Sequence, residues 1–77
     1  MDNKRILNRF DNNNFKLAYE NNKVNVVNFT KLGTFDDTQI ILYNKDKKII
    51  ISGKKLVISK LVTDEILVEG LINNIKL

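Results

Sequence analysis

The sequence predicts a small all-β protein, an antiparallel meander of about six strands folded into two layers or an open barrel. Three observations carry this. Runs rich in Ile, Val and Leu recur every seven to ten residues from Phe15 onward. The links between runs are far shorter than the crossover a parallel pair requires, so successive strands return as hairpins. β-branched residues also dominate each run, the residue type that suits a pleated strand.

Taken in order, Met1 to Asn14 differ from the rest. The polar stretch Asp11 to Asn14 breaks the pattern, and before it Ile6, Leu7 and Phe10 suit one side of a short helical turn. Residues 1–14 are therefore expected to form a polar, basic tail, with docking to a partner or a membrane surface as the alternative, and residues 15–77 a single domain. "FKLAY" sets Phe15, Leu17 and Tyr19 at period two, and "ENNK" has turn composition. "VNVVNF" alternates Val24, Val26 and Asn28 against Asn25, Val27 and Phe29. "TKLGTFDDT" reads as a loop or short strand bending at Gly33. "QIILY", "KIIIS", "KLVIS" and "EILVEG" follow as strands, joined by "NKDK", "GK" and "KLVTD", and "LINNIKL" suits a last strand.

Seventy-seven residues make one domain. A chain this short buries only about 60% of its unfolded surface, so small folds often rely on disulfides, a metal or association. Cysteine and histidine are both absent, which removes disulfides, thiolate sites, the commonest metal ligand and the commonest general base. Thirteen basic against nine acidic residues give a net charge of +4, too modest to specify a partner. No apolar run reaches the eighteen or more residues of a membrane helix. The basic start lacks a long apolar core and does not read as a secretory signal. The expected location is the cytoplasm, peripheral to a membrane during any membrane-linked step.

Two faces emerge from the alternation. One carries Ile40, Leu42, Ile49, Ile51, Leu56, Ile58, Ile66 and Val68. The other carries Ile41, Tyr43, Ile50, Val57 and Leu67 among Lys and Ser residues. A sheet with one wet side alternates more cleanly, so the second face is expected to be covered both by the N-terminal strands folded over it as a second layer and by another copy of the chain, a homodimer being the simplest assembly.

The segment "TDEILVEG" holds the most site-like carboxylates, Asp64, Glu65 and Glu69. On a strand, Glu65 and Glu69 share a face but lie ~13 Å apart, beyond the ~5–9.5 Å of paired glycosidase carboxylates. They read as strand-edge acids facing lysines across the ladder. Asp36 and Asp37 lack the spaced ligands of a calcium loop and read as an Asx-type turn. Gly33, Gly53 and Gly70 are isolated, so no phosphate loop forms, and Ser52 and Ser59 have no base to activate them. No catalytic residue, cofactor, metal or small-molecule substrate is therefore expected. Lys45, Lys47, Lys48, Lys54 and Lys55, with Tyr43 nearby, support an alternative, a small OB-like barrel binding nucleic acid. Lysines at turns and edges also block edge-to-edge aggregation, and nucleic acid is not the expected partner.

The C-terminal half resembles the YabP/YqfC sporulation protein family, on its YqfC-like side. The similarity rests on an alternating strand (Ile49 to Ser52), then Gly53-Lys54-Lys55-Leu56-Val57-Ile58, the acidic pair Asp64-Glu65, Ile66 to Gly70, Ile72, and Ile75 with Leu77. It extends back through Phe35 and Asp37 to about Phe15. Two departures stand out: Phe29-Thr30-Lys31-Leu32 replaces a basic-residue-glycine pair, and Thr63 replaces a proline. The resemblance implies a cytoplasmic all-β protein of endospore-forming Firmicutes, linked to spore coat or envelope assembly, with a YqfD-like membrane protein as partner and no catalytic activity.

Overall fold

The computed structural model describes residues 15–77, so the expected tail at 1–14 lies outside the described residues. Six strands form one antiparallel sheet: β1 (Lys16–Glu20), β2 (Lys23–Val27), β3 (Lys31–Phe35), β4 (Gln39–Asn44), β5 (Lys47–Val62) and β6 (Glu65–Lys76). The spatial order is β1-β2-β6-β5-β4-β3. Strands β3 to β6 follow one another as a meander, and the β1–β2 hairpin joins the free side of β6.

Chain geometry forbids this sheet from lying flat. At one end Val27 stands opposite Glu65, which stands opposite Val62. At the other, Lys31 stands opposite Tyr43, which stands opposite Lys48. In a flat sheet, Lys48 and Val62 would be ~46 Å apart along β5. Yet the chain passes from Val27 to Lys31 in four residue steps, a reach of at most ~14 Å. The sheet therefore doubles back halfway along β5 and β6. One layer comprises β1, β2, the start of β6 and the end of β5. The other comprises β3, β4, the start of β5 and the end of β6.

The doubling-back encloses the core. Val24, Val26, Ile66 and Val68 of the first layer and Ile40, Leu42, Ile49 and Ile51 of the second are fully buried in one cluster with Leu56 and Phe29. Phe29 sits in the β2–β3 link, capping the open end. Seven of the eight residues of the sequence-predicted inner face are in this cluster, and the eighth, Ile58, is partly buried and packs against it.

The bend explains where the strand boundaries differ from expectation. "GK" was expected to turn between two strands, but Gly53 and Lys54 lie inside β5. "KLVTD" was expected as a connector, but only Thr63 and Asp64 turn. "EILVEG" and "LINNIKL" are one strand. Register shifts at Ser52/Gly53 and Lys54/Val57, with Lys55 at φ 55°, absorb extra residues as bulges. Inward positions thus change from Ile49, Ile51 and Gly53 to Leu56 and Ile58. A bulged bend and a hairpin turn make the same local demand, a residue without Cβ at a close approach, so the sequence does not separate them.

Both halves of the bend are clamped. A Cβ on Gly53 would lie 2.0 Å from the Leu71 carbonyl oxygen; one on Gly70, at φ +145°, would lie 2.7 Å from that of Lys55. The Gly53 and Leu56 N–H groups donate to the Thr38 and Asp37 carbonyls (3.0 and 2.9 Å). The Gly70 N–H donates to the Asn22 carbonyl (3.1 Å). Asn22 and Asn21 form the two-residue β1–β2 turn, both with positive φ, the conformation that suits a right-twisted hairpin.

Gly53→Ala should therefore lower the urea unfolding free energy by about 2 kcal/mol or more, as overpacking does, whereas Ile49→Val should cost about 1 kcal/mol. Equal, small losses in both would show that the strands part freely at the bend.

Candidate docking surface

Of the carboxylates of "TDEILVEG", Asp64 lies in the β5–β6 turn, and Glu65 and Glu69 stand on a central strand rather than at a sheet edge, because β6 is flanked by β2 and β5. Glu69 is directly opposite Lys23, as expected of a cross-ladder partner. Glu65 accepts a hydrogen bond from the Asn25 side chain (3.0 Å) and pairs with Lys60 at 3.6 Å. Strand geometry keeps the two glutamates apart, so they form no dyad. Ser59 donates its hydroxyl to the Leu67 carbonyl (3.4 Å). Among the described residues no three carboxylates gather as metal ligands, and no helix is long and apolar enough to cross a membrane.

Asp36 has a structural task. One of its carboxylate oxygens accepts from the Thr38 N–H (2.8 Å), the Thr38 hydroxyl (2.9 Å) and the Gln39 N–H (2.9 Å). This is the Asx-type turn read from the sequence. It orders the loop whose Asp37 and Thr38 carbonyls hold the bend. The bonds from Thr38 and then Gln39 keep its carboxyl below the ordinary 3.8.

Two outward faces remain, one on each layer. On the second, the cross-strand rows are Lys31–Tyr43–Lys48, Ile41–Ile50–Lys76 and Gln39–Ser52–Asn74. Tyr43, Ile41 and Ile50 thus form a contiguous apolar centre, with Lys31, Lys48 and Lys76 around it. Gly33 makes this possible. A Cβ there would meet the Tyr43 ring at 2.9 Å, so the glycine lets the ring approach the edge strand closely. The Lys31 ammonium sits 5.6 Å from the ring centroid, within cation–π range. A shallow groove bounded by Lys47, Lys48, Ile50, Lys76 and Leu77 continues the patch.

On the first layer the outward rows are Glu20–Lys23–Glu69–Val57, Ala18–Asn25–Leu67–Lys60 and Lys16–Val27–Glu65–Val62. This face is balanced, with three carboxylates and three ammonium groups around Leu67, Val57 and Val62. Val57 and Val62 are 56% and 48% exposed, more than a well-packed β-branched residue needs to be.

The five apolar residues expected on one interface are therefore divided. Ile41, Tyr43 and Ile50 meet on the second layer; Val57 and Leu67 meet on the first. The lysines are divided too. Lys45 lies in the β4–β5 turn and Lys47 and Lys48 begin β5, while Lys54 and Lys55 lie at the bend. Six residues of strand, ~20 Å, separate Lys48 from Lys54, so these lysines line no single groove. Lys31 and Lys76 complete the rim of the apolar centre, and the sequence reading missed both. Only the register, which sets them in line with Tyr43 and Ile50, identifies them.

The YabP family model matches residues 11–77. The chain belongs to the YabP family. This membership suggests a sporulation-related protein, in agreement with the resemblance read from Gly53 to Gly70. No curated protein sequence matches the chain. Of the motif's positions, Gly53 and Gly70 are the two close approaches of the bend, Leu56, Ile66 and Val68 are core, and Asp64 receives the Asn28 N–H at 2.6 Å through its carbonyl. The family mark in this chain is thus the signature of a fold, carried by the bend and the core.

The Asp36 bonds give a pH dependence with a definite sign. Its folded-state pKa lies below the unfolded value, so its contribution is present above about pH 4. It is lost as pH falls through the lowered folded value. A carbon-detected NMR titration should place the Asp36 midpoint below the ordinary aspartate value, and Asp36→Asn should flatten the acid limb of a Tm-against-pH curve. A midpoint at the ordinary value would remove the turn from the account of the bend.

Proposed function

We propose that this protein is a non-enzymatic assembly and adaptor module of sporulation that works by surface docking and self-association, in spore coat or envelope formation alongside a YqfD-like membrane protein. The observation that carries this is the outward centre of Ile41, Tyr43 and Ile50, an apolar sheet face ringed by Lys31, Lys48 and Lys76. An aromatic anchor inside a polar rim is the usual anatomy of a protein contact. Family membership supports the setting, and the absence of His and Cys from the sequence leaves few residue types for catalysis.

The scale of the contact follows from the sheet. Four strands at ~4.8 Å spacing and five or six residues of length give a flat area of roughly 350 Å² per face. That falls below the ~800 Å² per partner of a standard specific interface, so each contact is expected to be weak and to gain strength by repetition.

Static light scattering should detect species larger than a monomer at ~100 µM, and Ile50→Lys should weaken that association about tenfold or more. Ile50 is half-buried on the outward face, so the substitution should leave the circular dichroism spectrum unchanged and shift stability by about 1 kcal/mol or less. A monodisperse monomer at that concentration, indifferent to Ile50→Lys, would remove the self-associating reading.

A further inference from the structure

We infer that copies of this chain associate head to tail, the lysine-rimmed face of one seating on the carboxylate-bearing face of the next, to build an open chain rather than a closed dimer. This rests on the self-association proposed above and specifies its geometry.

Charge decides between the two ways of pairing. In a two-fold dimer through the second layer, residue i meets residue j and the same patch meets itself. Lys31, Lys48 and Lys76 of one copy would then face the same three residues of the other, and the cross-strand rows of that face contain no carboxylate. Six ammonium groups around one small apolar contact repel, and like-charge juxtaposition suppresses wrong pairings strongly. The first layer offers what the second lacks. Glu20, Glu65 and Glu69 all stand on its outward rows, and Lys16, Lys23 and Lys60 bring that face only to neutrality. The 3.6 Å Lys60–Glu65 pair is partly exposed, so an incoming lysine can share its carboxylate.

The apolar groups divide in the same way. Ile41, Tyr43 and Ile50 lie on one face, and Val57, Val62 and Leu67 on the other. A head-to-tail contact covers both sets at once; a two-fold contact through either face leaves the other set in water. Because the sheet doubles back on itself, the two outward faces look away from the shared core on opposite sides. Each docked copy therefore presents a free face at both ends of the growing chain, and nothing in this arrangement closes it.

The test blocks one face at a time. Ile50→Lys disables the lysine-rimmed face and leaves the other intact; Leu67→Lys does the reverse, with Glu69→Lys as a second block should Leu67→Lys lose its native circular dichroism. Light scattering coupled to size exclusion should show the parent chain growing in mass with concentration past a dimer, each blocked variant remaining monomeric, and an equimolar mixture forming a one-to-one pair that grows no further. Raising salt from about 50 to 500 mM should weaken growth about tenfold. A parent that stops at a dimer, with Leu67→Lys still dimeric and Ile50→Lys monomeric, overturns the head-to-tail geometry but keeps self-association. A parent that stays monomeric at every concentration yet binds vesicles containing about 30% phosphatidylserine overturns both and assigns the lysine-rimmed face to a membrane.

Discussion

The close approach of two backbones at one point, Gly53 against Leu71 and Gly70 against Lys55, is what the rest of the molecule depends on. Two long antiparallel strands with full ladders would run straight with a gentle twist. Here they fold in half because neither glycine holds a Cβ in the way and because bulges take up the mismatch in path length. The loops on either side satisfy the backbone groups that the bend releases. The β3–β4 loop receives Gly53 and Leu56, and the β1–β2 turn holds Gly70. A buried amide left unpaired costs about 1–3 kcal/mol, so these three bonds are part of what makes a sharp bend tolerable in so small a core.

From the bend follows the division of labour between surfaces. Folding a sheet on itself turns one set of alternate residues inward and leaves two outward faces that look in opposite directions. The inner set needs no covering partner, since each half covers the other, and this is how a short sheet without disulfide or histidine achieves fully buried Ile, Leu and Val side chains. The outer sets are then free to differ. One became cationic around an aromatic centre and the other balanced around aliphatic residues. Such asymmetry is not needed for folding, because exposed charges contribute little to stability, and it is where specificity for a partner can be built.

Much of this was legible before any coordinate. Period-two alternation marked all eight predicted inner residues correctly, since a residue that must face the core can change only at a cost of several kcal/mol. The Asn-Asn turn and the Asp36 turn were readable from composition, because positive φ and local side-chain bonding select those residues. The bend was misread as a hairpin because both features are marked by a glycine between apolar runs. The residues expected on one interface were treated as a single surface, but the register divides them between two layers. Alternation reports the side of a strand on which a residue stands, and it is blind to a fold of the sheet between Ile50 and Val57. The rim lysines Lys31 and Lys76 were invisible for a related reason: each is distant in sequence from the apolar centre it borders.

By itself, then, the sequence determined the all-β class, the inner face, the turns, the absence of disulfide and histidine chemistry, and the kinship with the YabP family. These depend on local conformational preference, on composition and on burial, all of which act residue by residue. Only the tertiary structure decided that four apparent strands are two, that the sheet closes on itself at Gly53 and Gly70, and that the outward residues fall on two opposed faces of different charge. Those properties depend on register between distant segments and on a chain link too short to span a flat sheet, and neither is written at any single position.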